Sequence, residues 1–420
     1  MSHQKSPTGV IFLTIFISMI GFGIVIPVLP VYAKNPPFQL GPSQLGWLVG
    51  IFSLVQLLSA PLMGKLSDRI GRKPVLLVSI LGTAIGYFVT GAANVAWLLF
   101  LGRIIDGASG GNIATAQACI ADTTTPQERS KAMGMIGAAF GLGFILGPAI
   151  GGVLTGWGHQ MPFYFAGILS ILNAVVVITR LPETLTEERR MHPDSKAPLG
   201  EVFAGGRGSF VGLLLAASLT FTTGFAFIHV LFALFCGDHF GWTTRQTGYC
   251  FAYVGVLAVL VQGGLIRQLL KRDIEKELAA IGAALLTLSL WLMPRTQSVG
   301  GFLGVCGIMA LGNGLATPVL SGMASRHVHG RAQGRVLGLM AAAGSLGRFL
   351  GPALAVLPLP ASFSSLERPL QGVVKLSIDA GYRTAFTMSA ALVAFATILV
   401  ILLRVPKESV AETPVAAPAI

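Results

Sequence analysis

Gly64-Lys65-Leu66-Ser67-Asp68-Arg69-Ile70-Gly71-Arg72-Lys73 is a short charged stretch between two long apolar runs. The runs at 42–63 and 74–101 contain no Asp, Glu, Lys or Arg, and each is long enough to cross a bilayer as a helix. We therefore expect the stretch to form a tight turn between two membrane-spanning helices. In that turn, Gly64 is expected to let the helix ends approach closely, and Gly71 to supply the backbone freedom that the reversal needs.

The overall composition is that of a membrane protein. Hydrophobic residues make up 53% of the 420 residues and charged residues only 11%, with a mean hydropathy of +0.74, which excludes an ordinary soluble domain. The formal net charge of +12 falls in short segments between apolar runs, a pattern that indicates membrane topology and argues against a nucleic-acid groove. No catalytic triad, phosphate-binding loop or metal-ligand spacing occurs. We therefore predict a lipid-embedded protein, functional as a monomer, that is not an enzyme and holds no cofactor or metal.

The apolar runs predict an all-α membrane protein with twelve transmembrane helices. Lys and Arg concentrate in alternate connecting segments, which places both termini in the cytoplasm. The last span is expected at 384–403, after an extra outer segment over 358–383. We predict one six-helix bundle at 1–180 and a second at 209–404. A polar linker at 181–208 joins them, and a disordered tail follows at 405–420.

The two bundles repeat each other in sequence. The run from Lys131-Ala132-Met133-Gly134 to Gly147-Pro148-Ala149 matches the run from Arg335-Val336-Leu337-Gly338 to Gly351-Pro352-Ala353 at a constant offset. Parallel repeats are the layout of many secondary transporters, in which the substrate site lies between the repeats. The sequence therefore favours a transporter in which two similar bundles enclose a central cavity.

The fifth predicted span has glycines at a helical spacing. It reads Gly143-x-x-x-Gly147-Pro148-x-x-Gly151-Gly152, and the spacing of four puts three of these glycines on one face. Such a face allows another helix to approach backbone to backbone. Pro148 removes one hydrogen bond inside the helix and is expected to kink it.

The fourth predicted span contains two ionisable residues at membrane depth. Arg103 and Asp106 are three residues apart, so they share a helix face and can form an ion pair. Charged residues in the hydrocarbon region usually face a cavity and serve function. The alternative is a structural ion pair that holds the fourth span against the first or second.

The opening stretch resembles the signature loop between helices 2 and 3 of the major facilitator superfamily of transporters. The glycine pattern of the fifth span resembles the motif of the proton-coupled antiporters in that family, in particular the tetracycline-resistance and multidrug exporters. The resemblance extends over nearly the whole chain. It implies two bundles that rock about a central cavity, in a protein of the bacterial inner membrane.

The resemblance also implies a latch on the cytoplasmic side. In it, Asp122 would pair with Arg72, and Asp68 would interact with the inner end of the eleventh span. The residues that match the motif are Gly64, Asp68, Arg69, Gly71, Arg72, Lys73, Asp122 and Arg129.

Proton coupling is implied at the fourth span, where Arg103 matches the arginine that the family uses near its proton site. The sequence departs from the family pattern at Ser18, because drug–proton antiporters often have an acid at that position before Gly21 and Gly23. Asp106 is then the one carboxylate expected deep in the membrane, and we expect it to carry the proton.

The expected function is export of a small amphipathic or aromatic compound in exchange for protons. The alternatives are an importer or uniporter of a small metabolite, and a non-transporting sensor of the same fold. Arg348 could bind an anionic group, pair with Asp106, or hydrogen-bond to carbonyls freed near Pro352. The candidate cavity residues are Gln56, Asn112, Gln117, Tyr249, Tyr253, Asn313 and Arg348.

Overall fold

A computed structural model describes residues 7–124, 126–187, 202–203, 207–269, 274–326, 331–360 and 371–404. The regular structure of these residues is helical. The helices are α1 Pro7–Lys34, α2 Pro42–Ile70, α3 Arg72–Gly91, α4 Ala96–Ala108, α5 Asn112–Thr123, α6 Pro126–Leu154, α7 Met161–Arg180, α8 Arg207–Ala226, α9 Ile228–Phe240, α10 Thr244–Leu260, α11 Glu275–Leu292, α12 Val299–Arg326, α13 Arg331–Ala355 and α14 Gln371–Leu402.

The described residues form eleven helical segments that are long and apolar enough to cross a membrane, one of which consists of α8 and α9 together. The fourth predicted span is divided into α4 and α5, each shorter than a membrane is thick, and together they supply the remaining span. The helix breaks next to Gly110, where side chains of α2 donate hydrogen bonds to the exposed backbone carbonyls. Gln56 donates a hydrogen bond to the carbonyl of Gly110 (3.2 Å), and Ser59 donates one to the carbonyl of Gly107 (3.0 Å). The break is therefore stable in an apolar setting because its carbonyls are paired.

The turn between α2 and α3 is much shorter than the charged stretch that predicts it. α2 continues to Ile70, and Gly71 alone reverses the chain with φ 115°, a conformation that L side chains rarely adopt. The expected role of Gly64 is wrong, because it lies inside α2 and a Cβ there would meet nothing within 4 Å. Of the charged side chains of this stretch, Lys65, Asp68 and Arg69 thus lie on the last turns of α2, and Arg72 and Lys73 begin α3.

The glycine face of α6 packs on α1. A Cβ at Gly147 would lie 2.6 Å from the carbonyl oxygen of Ile20 and 2.8 Å from the Cα of Gly23. A Cβ at Gly143 would collide with Met19, and α6 continues through Pro148 to Leu154. The glycine face of α6 therefore makes a backbone-to-backbone contact, as predicted, and the helix it contacts is α1.

We call the membrane face with the α2–α3 turn the Gly71 side, and the opposite face, where α1 ends, the Lys34 side. On the Lys34 side, helices of the first six spans pack directly on those of the last six. A Cβ at Gly46 of α2 would lie 2.6 Å from the carbonyl of Pro352 in α13, and one at Gly152 of α6 would lie 2.9 Å from the carbonyl of Thr244 in α10. The Lys34 side is thus closed.

The last helix begins earlier than the sequence predicts. α14 starts at Gln371 instead of Thr384, so its first part belongs to the segment that was expected to form an extra outer structure. Tyr382 in this extension is fully buried, and its hydroxyl donates a hydrogen bond to Asp238 of α9 (2.7 Å). Packing against α9 explains why the helix extends. The predicted linker and tail lie largely outside the described residues, so those boundaries stay a prediction.

We expect Gly147→Val to destabilise the protein and Gly64→Ala to be tolerated. A valine side chain at 147 would push α1 away, whereas an alanine at 64 meets open space and favours a helix by about 0.5–1 kcal/mol. The measurement is the melting temperature of each purified variant in detergent. A Gly147→Val protein as stable as the wild type would contradict the close α1–α6 contact.

Candidate functional site

A buried ion pair lies in the middle of the fourth span. Nη1 of Arg103 lies 2.7 Å from Oδ2 of Asp106, and the two residues are 4% and 5% exposed. Thr83 of α3 lies within hydrogen-bonding reach of the same carboxylate. Nε of Arg103 has no hydrogen-bond partner among the described residues. The pair is therefore held by a single contact, inside the first six spans, and it leaves one donor of the guanidinium free.

An aromatic chain connects this ion pair to the boundary between the first six and the last six spans. The Cζ atom of Arg103 lies 4.4 Å from the centroid of the Phe52 ring. Phe22 of α1 lies 6.0 Å from Phe52, 6.4 Å from Phe144 of α6 and 6.4 Å from His229 of α9, measured between ring centroids. Phe22 thus contacts both sets of helices.

Sequence reasoning missed this aromatic group. Phe22, Phe144 and His229 are all partly exposed. We call the accessible space beside these rings, between α1, α6 and α9, the internal space. The available signal was the position of Phe22 between Gly21 and Gly23, because small neighbours let other helices approach its ring. His229 belongs to no motif in the sequence, so its role follows from the packing of α9.

Arg348 of α13 lies near His229, which borders that space. It is closely surrounded by protein atoms and still partly exposed. Nη2 donates a hydrogen bond to the hydroxyl of Ser345 on its own helix (2.9 Å), and the side chain lies close enough to His229 to interact electrostatically. In this structure Asp106 pairs with Arg103, not with Arg348.

The other predicted cavity residues are spread over several places. Asn112 donates a hydrogen bond to Ser18 of α1 (3.0 Å), so an uncharged pair occupies the position where related antiporters often have an acid. Gln56 supports the α4–α5 break, and Gln117 is exposed. The remaining three lie in the last six spans: Asn313 accepts from Thr317, Tyr249 accepts from Arg245 at the beginning of α10, and Tyr253 lies beside Gly307.

Arg72 is the centre of a network on the Gly71 side. Its Nη1 lies 2.6 Å from Asp68, its Nε lies 3.0 Å from Asp122 and its Nη1 also donates to Ser67 (2.8 Å). Lys73 donates from Nζ to the carbonyl of Ile178 (2.9 Å). These contacts tie the α2–α3 turn to α5 and α7.

Two latch residues take no part in the network as described. Arg69 is exposed. The side chains of Arg129 and of the beginning of α13 lie outside the part of the chain that the structure describes. The expected contact between Asp68 and the eleventh span therefore remains a prediction.

Glu183 completes the network and was not predicted as a site residue. Its carboxylate accepts hydrogen bonds from the backbone N–H groups of Arg72 (2.9 Å) and Lys73 (3.2 Å), at the beginning of α3, and from those of Thr184 (2.8 Å) and Leu185 (2.9 Å). Burial acts most strongly and opposes ionisation, but the four donors together hold the pKa of Glu183 below its usual range. The signal in the sequence was the acid of Arg180-Leu181-Pro182-Glu183-Thr184.

A polar cluster closes the Lys34 side. Nζ of Lys34 in α1 lies 2.6 Å from Oδ1 of Asp238 in α9, and Tyr382 of α14 donates to Oδ2 of the same carboxylate. Next to it, Nδ1 of His239 lies 3.7 Å from Asp379. The Lys34–Asp238 contact joins the first six spans to the last six.

Comparison with known proteins agrees with this architecture. Residues 11–352 match the Major Facilitator Superfamily. The chain belongs to this superfamily. It is 32% identical to the class C tetracycline resistance protein of Escherichia coli, over 84% of this chain and 89% of that protein. It is 31% identical to multidrug resistance protein 2 of Bacillus subtilis, over 84% of this chain and 89% of that protein.

A solved structure shares the fold. The inward-facing, unoccupied structure of a bacterial homologue of the human lysosomal transporter Spinster aligns with a TM-score of 0.78 and 16% identity, covering 96% of this chain and 98% of that chain. The predicted fold and the predicted membership of the Major Facilitator Superfamily are confirmed.

We expect Asp238→Asn to open the Lys34 side of this superfamily member. The substitution removes the charge that Lys34 pairs with, and a partly exposed ion pair contributes about 1 kcal/mol, so the ratio of closed to open protein should fall about fivefold. The measurement is the labelling rate of a cysteine placed at Val356, which faces Gly46 and is 4% exposed, with Asp379→Asn as the matched control. Unchanged labelling in Asp238→Asn would contradict a closing role for the pair.

We expect Glu183→Gln to loosen the beginning of α3. The carboxylate caps this helix, which typically stabilises a helix end by about 1 kcal/mol, so hydrogen exchange of the amides at 71–75 should become about fivefold faster at neutral pH. The pKa of Glu183 is lowered, so its contribution is present above the usual carboxyl range and is lost as the pH falls through the lowered value. The difference between variant and wild type should therefore vanish in acid.

The control for this measurement is Glu187→Gln, which removes an exposed acid from the same segment. Equal exchange in the wild type and Glu183→Gln at neutral pH would show that the carboxylate does not hold the turn.

Proposed function

We propose that this protein exports a small amphipathic or aromatic compound from a bacterial cell in exchange for protons. The names of its relatives, tetracycline resistance and multidrug resistance proteins, support export of drug-like compounds. We place it in the inner membrane with both termini in the cytoplasm. The excess of Lys and Arg on the Gly71 side supports assigning that side to the cytoplasm.

The observation that carries the proposal is the buried Arg103–Asp106 pair. The carboxylate of Asp106 is 5% exposed and lies about 15 Å along α4 from Ala96. Ionisable groups at this depth in a membrane are energetically costly, and they usually have a functional role. The partner of this carboxylate, Arg103, rests on the ring of Phe52, which contacts Phe22 beside the internal space. A change at the carboxylate can therefore reach the substrate through two rings.

The proposed coupling follows from the charge of Asp106. Protonation removes the negative charge that holds Arg103, so the guanidinium is free to move off Phe52. A shift of Phe52 changes the packing of Phe22, which lines the space between the two sets of helices. Because Nε of Arg103 already lacks a partner, a second acceptor for the guanidinium in the other state would offset the broken ion pair.

Alternating access then requires the Lys34 side to open. In the present structure that side is closed by glycine contacts and by the Lys34–Asp238 pair, so substrate would enter from the Gly71 side. Release on the other side would require α2 and α6 to separate from α13 and α10. This rocking motion is the one that transporters with two repeated bundles commonly use.

A uniporter is the second candidate. The observation that favours it is the Ser18–Asn112 hydrogen bond, since an uncharged pair stands where related antiporters often have an acid. A uniporter needs no proton carrier, and Asp106 would then be a structural partner of Arg103.

We expect Asp106→Asn to abolish gradient-driven uptake of drug by inverted vesicles with an acidic lumen. Asparagine has a similar shape but cannot carry a proton, so exchange of labelled for unlabelled drug without a gradient should remain. Glu277→Gln, which removes an exposed acid at the beginning of α11, is the matched control and should behave as the wild type. Normal gradient-driven uptake by Asp106→Asn would contradict the proton-carrier role and favour the uniporter.

A further inference from the structure

The charges in the membrane-spanning interior do not balance. Arg103 and Asp106 neutralise each other. At the Lys34 side, Lys34 and Asp238 do the same. Arg348 remains, and no acidic side chain among the described residues interacts with it. The interior next to the internal space therefore carries one uncompensated positive charge.

An unpaired guanidinium in the membrane-spanning interior is unfavourable in free energy. Burial of a charge without a partner costs several kcal/mol in general, and intramembrane charges usually pair with another group or line a water-filled cavity. Ser345 satisfies one of the five N–H donors of Arg348. A Cβ at Gly344 would lie 3.3 Å from Nη1, so the glycine leaves room beside the guanidinium. Among the described residues no other side chain bonds the remaining donors, so they are available to a ligand.

The surroundings of Arg348 are aromatic. His229 lies beside it, and the rings of Phe22 and Phe225 lie 6.4 Å and 6.3 Å from His229, measured between centroids. Arginine presents a planar fork that matches a carboxylate, sulfonate or phosphate group. Aromatic rings next to it would hold an aromatic body by stacking.

We propose that the substrates are aromatic compounds with an anionic group, and that Arg348 binds this group. This inference rests on the proposed transport function and names its substrate class. The anion neutralises Arg348, Ser345 orients the guanidinium, and Phe22, Phe225 and His229 contact the rings. Substrate binding would thus remove the one uncompensated charge and place the substrate's rings against Phe22.

Two alternatives within the protein fit the structure less well. Pairing of Arg348 with Asp106 would first require breaking the 2.7 Å contact between Asp106 and Arg103. Hydrogen bonds to backbone carbonyls near Pro352 would leave the positive charge uncompensated. An anionic ligand satisfies both the charge and the free donors.

The test is equilibrium binding of two probes to the purified full-length protein in nanodiscs. N-dansylglycine has an aromatic body and a carboxylate, and N-dansylglycinamide has the same body without the charge. Hydrogen bonds to a charged group predict that the wild type binds the acid about tenfold or more tightly than the amide. Arg348→Gln should bind both equally.

The matched control is Arg383→Gln, which removes one positive charge from an exposed position of α14 and should keep the wild-type preference. Arg348→Lys keeps the charge but loses the fork, so its preference should fall between the two. It serves as the readout if Arg348→Gln does not fold. Equal binding of acid and amide by the wild type, or a full preference in either Arg348 variant, would overturn the proposal.

A second measurement separates this inference from the transport function. Gradient-driven uptake of both probes is followed in inverted vesicles. Preference for the acid in binding without gradient-driven uptake supports the anion site and contradicts proton-driven export. Gradient-driven uptake of the amide with no preference for the acid supports export and overturns the anion site.

Discussion

The close contact between α1 and α6 determines the centre of this molecule. Because Gly23 and Gly147 have no side chains, the two backbones approach each other directly; a Cβ would collide with backbone at Gly147 and would be crowded at Gly23. Bilayer lipids give helices no hydrophobic drive to associate, so such small-residue contacts are a main source of cohesion between them. This contact fixes α1, and α1 in turn places Phe22 between α2, α6 and α9. The position of the internal space follows from it.

Each charge in the membrane region is stabilised in a different way. Asp106 is buried against an arginine on its own helix, whereas Asp238 is shared by a lysine and a tyrosine from two other helices. Breaking the first contact costs more, because its surroundings exclude water almost completely. The second contact is partly exposed, so breaking it costs less free energy. A transporter needs both kinds, since one must hold a charge within a bundle and the other must form and break in each cycle.

Spacing in the sequence predicted the contacts within a helix or between neighbours in the chain. The membrane spans, the glycine face of α6 and the Arg103–Asp106 pair belong to this class, because regular helix geometry determines them. Contacts between distant segments have no such rule. The carboxylate of Glu183 at the beginning of α3 depends on how α7 ends beside α3, and the position of His229 depends on how α9 packs on α1. The error at Gly64 has a different origin, since charged residues show where a helix leaves the membrane and not where the helix ends.

The two sides of the protein differ in what their contacts join. On the Lys34 side, the ion pair connects α1 to α9 and therefore the first six spans to the last six. On the Gly71 side, the contacts described for Arg72 all lie within the first six spans and the segment that follows them. The side chain of Asp68 is 32% exposed, so it can exchange a partner at low cost. Because this network is already assembled within the first six spans, it needs no internal rearrangement before it contacts the last six, so closure on the Gly71 side can offset the loss of contacts on the Lys34 side.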